Sequence, residues 1–399
     1  MKQASLFDGH RMTLRDSIAL TSQSLQAFGA NHRHWAIAYS GGKDSSATVS
    51  VVVYLIESGD VPRPESLTVL YADTRMEIPP LHVSAMKMLD ALAQRGIETR
   101  IVLPEMDDRF FVYMFGRGVP PPNNNTLRWC TKQLKVEPMV NALKSLRDEH
   151  GEKFLMLTGV RVGESAARDT RIALSCGKNG SECGQGWFQE TTPAGVADTL
   201  APLLHWRVCH VWDWLMFDAP ALSFPTAMVA EVYGGEEAQE LNARTGCIGC
   251  PLAEKDTALD YVIGLPQWAY LAPLERLRPL YRELRRFKHR LQKFGETNAD
   301  GQLSSHPNRK GPLTMDARRY GLSVILGVQD EINAAARQQG RPIIDLINPD
   351  ERARIEALIA AGTWPNKWTG SETRGDVLIP MVYQNGDVQD ILFEVDGKA

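Results

Sequence analysis

The sequence predicts an α/β protein in which a parallel sheet carries helices on both faces, followed by a mostly helical C-terminal extension. Three observations carry this prediction. Short apolar runs recur between helical stretches over residues 30–220. Near-continuous apolar strands alternating with helices are what a parallel sheet buried on both faces requires. The first run ends in a glycine loop, Ser40-Gly41-Gly42-Lys43-Asp44-Ser45-Ser46, that leads straight into a helix. Beyond about residue 220 the pattern changes to long charged helical stretches.

Taken in order, residues 1–11 read as a tail and 12–30 as a helix. The run HWAIAY over 34–39 reads as the first strand, and 47–58 as the helix after the glycine loop. A second strand (67–72), a helix (81–95), a third strand (99–103), a helix (132–149) and a fourth strand (154–158) complete the alternation. Further on, 271–294 and 350–361 read as helices, and 296–310 as a polar loop. Residues 377–383 and 388–395 flank Gln384-Asn385-Gly386-Asp387, and an Asn-Gly pair between such runs signals a β-hairpin. The expected division is 1–29 as an N-terminal tail and helix, 30–220 as the α/β domain, and 221–399 as a basic helical region ending in the hairpin.

Composition bounds the function classes. The 399 residues are 43% hydrophobic, which suits a folded globular chain, and 44 Lys+Arg against 48 Asp+Glu give a net charge of −4. Any polyanion must therefore meet a local basic patch. The longest strongly apolar stretch, 49–56, is far short of the roughly 20 residues that span a bilayer, and residues 1–30 show no secretory pattern. The expectation is a cytoplasmic protein with no membrane contact. In that reducing setting the six cysteines, Cys130, Cys176, Cys183, Cys209, Cys247 and Cys250, are expected to bind metal or do chemistry rather than form disulfides.

The glycine loop is the strongest chemical signal. Glycines allow a tight turn that brings backbone N–H groups onto a phosphate, the helix N-terminus adds partial positive charge, and Lys43 adds a full one. Ser45 and Ser46 can donate to phosphate oxygens, and Asp44 reads as the helix N-cap. The string is not the mononucleotide loop, because Asp44 follows Lys43, and it is not the dinucleotide fingerprint. It resembles the PP-loop of the ATP pyrophosphatase superfamily. That resemblance implies a HUP-like (adenine nucleotide alpha hydrolase-like) domain that splits ATP into AMP and pyrophosphate. Ser40, Gly41, Gly42, Asp44, Ser45 and Ser46 would line the β,γ-phosphates, bridged by Mg²⁺.

Three further strings narrow the resemblance. Asp73-Thr74 ends the second strand and is followed by Glu77-Ile78-Pro79; it resembles the second motif of sulfonucleotide reductases and of DndC-type DNA phosphorothioation proteins, near the adenosine. Arg128-Trp129-Cys130-Thr131, with Leu134-Lys135, resembles the same families. Cys130 beside Arg128 and Lys132, near a helix start, is expected to have a lowered thiol pKa, suiting a persulfide carrier or a cluster ligand. Gly159-Val160-Arg161, with Glu164-Ser165, resembles the motif whose arginine faces the nucleotide phosphates. His210-Val211-Trp212-Asp213-Trp214-Leu215 is similar to the stretch that ends the nucleotide domain, with His210 where an acid is expected. The matches cover about residues 35–215, and DNA phosphorothioation proteins of the DndC and SspD type are the nearest families.

Cys247 and Cys250 form a C-x-x-C, and Cys176 and Cys183 have six residues between them. This quartet can bind one metal centre. Ligand identity alone admits zinc, whereas the resemblance implies a [4Fe–4S] cluster. The preferred ligands are Cys176, Cys183, Cys247 and Cys250; the alternative puts Cys130 in the set with Cys247, Cys250 and one of the other pair. Cys209 reads as core, and a redox disulfide at Cys247/Cys250 is a further option. The 271–294 segment has net charge +6. As one helix it would bring Arg282, Arg285, Arg286 and Arg290 with Lys293 onto a face, Lys288 adding charge, to bind a DNA backbone.

The resulting expectation is an ATP pyrophosphatase/sulfurtransferase of DNA phosphorothioation, a modification associated with phage defence, with Asp44, Cys130 and Arg161 in catalytic roles. A cysteine desulfurase would donate sulfur, and other proteins of the modification system would be partners. The alternatives are a sulfonucleotide (PAPS) reductase, a tRNA thiolation enzyme, and a non-enzymatic adaptor that senses ATP and docks nucleic acid.

Overall fold

A computed structural model describes residues 12–123, 127–163, 195–234, 247–253, 255–298, 300–304, 307–377, 379–383 and 385–390. Two compact units emerge. One comprises Met1–Asp73, Glu77–Leu103 and Lys135–Thr245; the other comprises Thr74–Met76, Pro104–Leu134 and Gly246–Ala399.

The first unit is the α/β unit. Its elements are α1 (Leu14–Gly29), β1 (His34–Tyr39), α2 (Lys43–Glu57), β2 (Ser66–Ala72), α3 (Pro79–Gln94), β3 (Glu98–Val102), α4 (Glu137–His150), β4 (Phe154–Leu157) and β5 (Ala197–Leu200). The sheet order is β3-β2-β1-β4-β5, and every pairing is parallel. Trp35 on β1 sits opposite Leu67 on β2 and Leu155 on β4. The central strands are buried, with Ala36, Ile37, Val69, Leu70, Phe154, Leu155 and Leu157 fully enclosed. This matches the α/β parallel-sheet class expected from the strand pattern.

Two features of this unit position the site. Successive strands run outward from β1 in one direction, β2 then β3, and in the other, β4 then β5. The order therefore reverses between β1 and β4, and ligands of open α/β sheets bind at the carboxyl ends of strands at such a switch point. The loops after β1 and β4 both leave from there. Helix α2 is apolar nearly all round, with Val49, Val51, Val52, Val53 and Leu55 buried, as befits a helix enclosed by protein. Ser50 satisfies its hydroxyl on the Ser46 carbonyl at 2.7 Å and accepts from Trp214 Nε1 at 2.8 Å.

Helix α1 belongs to this packing. Thr13 caps it reciprocally with Asp16. The buried His210 imidazole meets Ser17 Oγ at 3.0 Å and the Met12 carbonyl at 3.1 Å. Burial holds the His210 pKa down. An imidazole at this position thus ties α1 to the sheet unit. Cys209 beside it is half-buried rather than part of the core. The fifth strand, Ala197–Leu200, has no counterpart in the strand pattern read from sequence; four residues containing Asp198 make too short and polar a run.

The second unit is built around a 25-residue helix, Met315–Gln339, capped by Thr314 and stopped by Gly340 at φ 62°. Arg318 on this helix is fully buried. Its guanidinium donates to the carbonyls of Phe115, Gly116 and Thr363 and lies over the Trp364 ring at 5.3 Å. Burial lowers its pKa to about 10, and three carbonyl acceptors offset the cost of enclosing the charge. The helix expected at 350–361 is present as Pro349–Ala360. The expected hairpin is present too, as an antiparallel pair of short strands, Met381–Val382 and Val388–Gln389, closed by Gly386 at φ 89°.

The basic segment is not one helix. A tight turn of helix covers Ala269–Arg276 with Pro273 inside it, an α-helix covers Leu277–Leu284, and the chain then reaches a short strand, β6, at Arg290–Gln292. Arg286 is extended at ψ 148°, which ends the helical run. Glu283 explains the break: its carboxylate gathers Arg286 at 3.1 Å, Lys288 at 2.5 Å and His289 at 3.0 Å. Arg290 donates to the Gly311 and Lys310 carbonyls, and burial lowers its pKa to about 10. Lys293 pairs with Glu296 at 3.0 Å. The single helical face of Arg282, Arg285, Arg286, Arg290 and Lys293 therefore does not form.

No helix among the described residues is long and apolar enough to cross a membrane.

Candidate functional site: a phosphate-type loop and a thiol group

The loop after β1 turns at Gly41, whose φ of 75° places it in the left-handed region where a side chain is disfavoured. A Cβ there would also lie 3.3 Å from the Ala85 methyl. Gly42 is the N-cap of α2, and no side chain caps that helix. This corrects the expectation for Asp44, which occupies the second helical position. No side chain of the loop takes up the leading N–H groups of α2, and this is the arrangement that receives anions.

Asp44 serves the site differently. Its carboxylate receives Arg161 Nε at 2.5 Å and Lys43 Nζ at 2.8 Å. Arg161 is 5% exposed, and its Nη1 also donates to the Trp206 carbonyl at 3.1 Å. One carboxylate thus holds two cations beside an uncapped helix N-terminus, leaving net positive charge at the loop. Ser40 and Ser45 brace the loop from inside. The Ser40 N–H donates to Ser45 Oγ at 3.2 Å, and Ser45 donates to the Gly42 carbonyl at 3.0 Å.

Ser46 does not sit with them. It is fully buried and neighbours the Tyr39 phenol, whose pKa burial pushes up while Ser46 offsets part of the rise. Gly159, expected at the nucleotide, passes against the first turn of α2. A Cβ on it would fall 2.9 Å from backbone atoms of Asp44 and Ser45. Asp73 ends β2, 5% exposed, with its N–H on the Tyr71 and Val102 carbonyls. Thr74 is fully buried and accepts from the Met76 N–H at 3.3 Å in the second unit. Glu164 and Ser165 lie outside the described residues.

Sequence reasoning missed Tyr233. Its hydroxyl accepts from the Lys43 N–H at 3.4 Å, and its ring lies 5.5 Å below Lys43 Nζ. It follows the short helix Ala227–Val232. The Tyr-Gly-Gly string there was the only local hint, and it carries no recognisable spacing.

In the second unit, Cys247-Ile248-Gly249-Cys250 forms a turn closed by the Cys250 N–H on the Cys247 carbonyl at 3.0 Å. Gly249 stands at φ 59°, with a would-be Cβ 2.8 Å from Leu277, so the turn requires glycine there. The Gly249 N–H is held by Asp256 at 3.1 Å. Ile248 is buried, and its N–H donates to the Met76 carbonyl at 2.7 Å.

Cys130 lies with this turn. Its pKa is raised, first by burial and then by the charge of Cys250. This overturns the expectation of a lowered thiol pKa: burial against its neighbours outweighs any help from Arg128 and Lys132. Alkylation of Cys130 by iodoacetamide is accordingly expected to be slower at pH 7 than that of a free thiol. It should accelerate only above the ordinary thiol range of ~8.5. A peptide-mapped rate profile showing fast labelling of Cys130 at neutral pH would contradict this.

The fully buried Tyr281 phenol is pushed up by burial and then by Cys247 and Cys250, so it too borders the thiols. Cys176 and Cys183 lie outside the described residues. Among the described residues, no group of three or more His, Cys, Asp or Glu side chains is disposed to hold a metal ion.

With this geometry in view, residues 34–219 match the family model for the phosphoadenosine phosphosulfate reductase domain. That resemblance covers slightly less than half of the chain, the α/β segment. The match takes in all five strands of the parallel sheet, the Ser40–Ser46 loop and Arg161. Solved structures resembling the chain include the phosphate complex of phosphoadenylyl-sulfate (PAPS) reductase from Candida auris, at 13% identity, covering 59% of this chain and 96% of that one with a TM-score of 0.35. The U34-tRNA thiolase NcsA from Methanococcus maripaludis, with its [4Fe-4S] cluster, is 14% identical over 68% of this chain and 76% of that one, at a TM-score of 0.33. No curated protein matches the chain.

Proposed function

We propose that this protein is an ATP-dependent sulfurtransferase that activates a backbone phosphate of DNA and replaces one of its oxygens by sulfur. The loop supports the ATP half. The uncapped N-terminus of α2, Lys43 and the Arg161 guanidinium form an anion-binding mouth suited to the β,γ-phosphates. Mg²⁺ bound with the nucleotide would supply further charge neutralisation there. Here Arg161 and Lys43 hold phosphate oxygens, Asp44 fixes both cations in place, and Gly41 and Gly42 let the backbone approach closely.

The sulfur half rests on Cys130, 120 residues away in sequence, lying within electrostatic reach of Cys250. ATP places AMP on a phosphate oxygen and releases pyrophosphate. A persulfide on Cys130, loaded by a cysteine desulfurase, attacks phosphorus with its terminal sulfur and displaces AMP. The Cys250 thiolate then attacks the Cys130 sulfur, forming a Cys130–Cys250 disulfide and freeing the phosphorothioate. A dithiol reductant resets the pair, so two electrons are supplied per sulfur inserted.

Cys247 and Cys250, completed by Cys176 and Cys183, would also be a ligand set for a [4Fe–4S] cluster. No step above runs through one. Brown protein on anaerobic purification assigns these thiols to a cluster, and colourless protein assigns them to the relay or to zinc.

ATP turnover tests the reading directly. AMP and pyrophosphate are the expected products, together with sulfur in DNA by mass spectrometry only from cells that carry the gene; ADP and phosphate overturn it. The family match also favours a second reading, sulfonucleotide reduction, for which release of sulfite from PAPS is the deciding assay.

A further inference from the structure

The last turns of the broken basic segment enclose a hollow of about 330 Å³ lined by Pro251, Ala253, Arg278, Tyr281, Arg282 and Arg285, among others. Pro251 is the residue that follows Cys250, and the lining Arg285 feels the charge of Cys250, so the hollow lies beside the thiol group. Three of its described lining side chains are guanidinium groups.

Among the described residues, Arg282 and Arg285 in this hollow have no acid partner of the kind that other cations of the segment have. Arg286, Lys288 and His289 share Glu283, and Lys293 has Glu296. Arg285 instead donates, among the described residues, to the carbonyls of Pro122 and Pro251, and its pKa is lowered by burial and then by the like charge of Arg282. Arg282 is exposed and pairs with no acid among the described residues. Arg278 donates to the Ala253 carbonyl and feels the buried Asp256 carboxylate. Two carbonyl-anchored arginines, Arg278 and Arg285, beside the exposed Arg282, line one hollow, and guanidinium groups placed together in this way suit an oxyanion. The volume is that of a small-ligand cleft.

We propose that this hollow is a phosphate-oxyanion subsite that holds the sulfur acceptor at the Cys250 end of the thiol group. The acceptor role rests on the sulfurtransferase reading above; the anion site itself does not. A phosphodiester backbone is the favoured source of the phosphate, because the hollow is open to an exposed Arg282 rather than enclosed around a free ion.

The test uses the full chain with two probes: a fluorescein-labelled single-stranded dT oligonucleotide, with its uncharged methylphosphonate analogue as control, and inorganic pyrophosphate. Arg282→Gln removes an exposed side chain without a fold-holding partner, so folding, checked by thermal melting, is expected to persist. About tenfold weaker oligonucleotide binding is expected, with a salt dependence shallower by about one phosphate contact. The methylphosphonate strand should bind neither protein well. Weakening of pyrophosphate binding alone identifies a free phosphate as the occupant. Undiminished binding of both probes by Arg282→Gln overturns the subsite. Pyrophosphate release by the wild-type protein is measured separately; its failure would refute the sulfurtransferase reading while the binding result still decides the subsite.

Discussion

Replacing Asp44 by alanine is expected to abolish conversion of ATP to AMP and pyrophosphate and to lower the unfolding free energy by about 3–5 kcal/mol, the cost of stripping one partner from a buried ion pair. The Arg161 side chain is 6% exposed and that of Asp44 15%, with 2.5 Å between Nε and the carboxylate. Without Asp44, the guanidinium keeps only the Trp206 carbonyl as a described acceptor, and Lys43 loses its 2.8 Å contact. The two effects separate in a double variant. Asp44→Leu with Arg161→Met removes both charges for apolar groups, a change that is often neutral or stabilising. Urea unfolding should then return close to wild type while pyrophosphate release stays absent. Turnover by the double variant would remove the pair from the chemistry.

The sheet was legible because its central strands are buried on both faces. HWAIAY and the run over β2 are apolar at consecutive positions, and nothing but a covered strand explains that between helical stretches. The edge strand β5 was not legible, since Asp198 is there to meet Lys153 at 2.5 Å and His32 at 2.9 Å, partners from distant sequence. The loop could be read as an anion cradle from its glycines. Its wiring could not. An aspartate early in a helix reads locally as a cap, and only the fold brings Arg161 to it from 117 residues away.

The cysteines and the basic segment teach the same lesson from two directions. Spacing pairs Cys247 with Cys250, and a close turn joins them. Spacing carries no information on Cys130, which reaches Cys250 because 104–134 folds with the second unit. The basic segment obeys helical periodicity on paper, yet Glu283 gathers three cations into a knot and the chain leaves the helix at Arg286. Periodicity sees which residues could share a face; it does not see which acid will collect them.

Gly159→Ala is expected to slow pyrophosphate release by about a hundredfold while the unit stays folded. The added methyl would fall 2.9 Å from the Asp44 carbonyl carbon and the Ser45 nitrogen, and 3.0 Å from the Asp44 oxygen. These are backbone atoms, so no rotamer change relieves the contact. The loop that carries the glycine has little room to retreat, because the Thr158 N–H is bonded to the Leu200 carbonyl and the Val162 N–H to the Leu204 carbonyl, both at 2.9 Å. The strain must therefore pass into the first turn of α2 and the loop before it. Displacement of positioning groups by about 1 Å can cost 10²-fold in rate. A fall in kcat with α/β structure intact by circular dichroism, together with weakened ATP binding, is the expected outcome. Wild-type turnover by Gly159→Ala would mean that the loop yields without consequence and that its geometry is not what holds the phosphates.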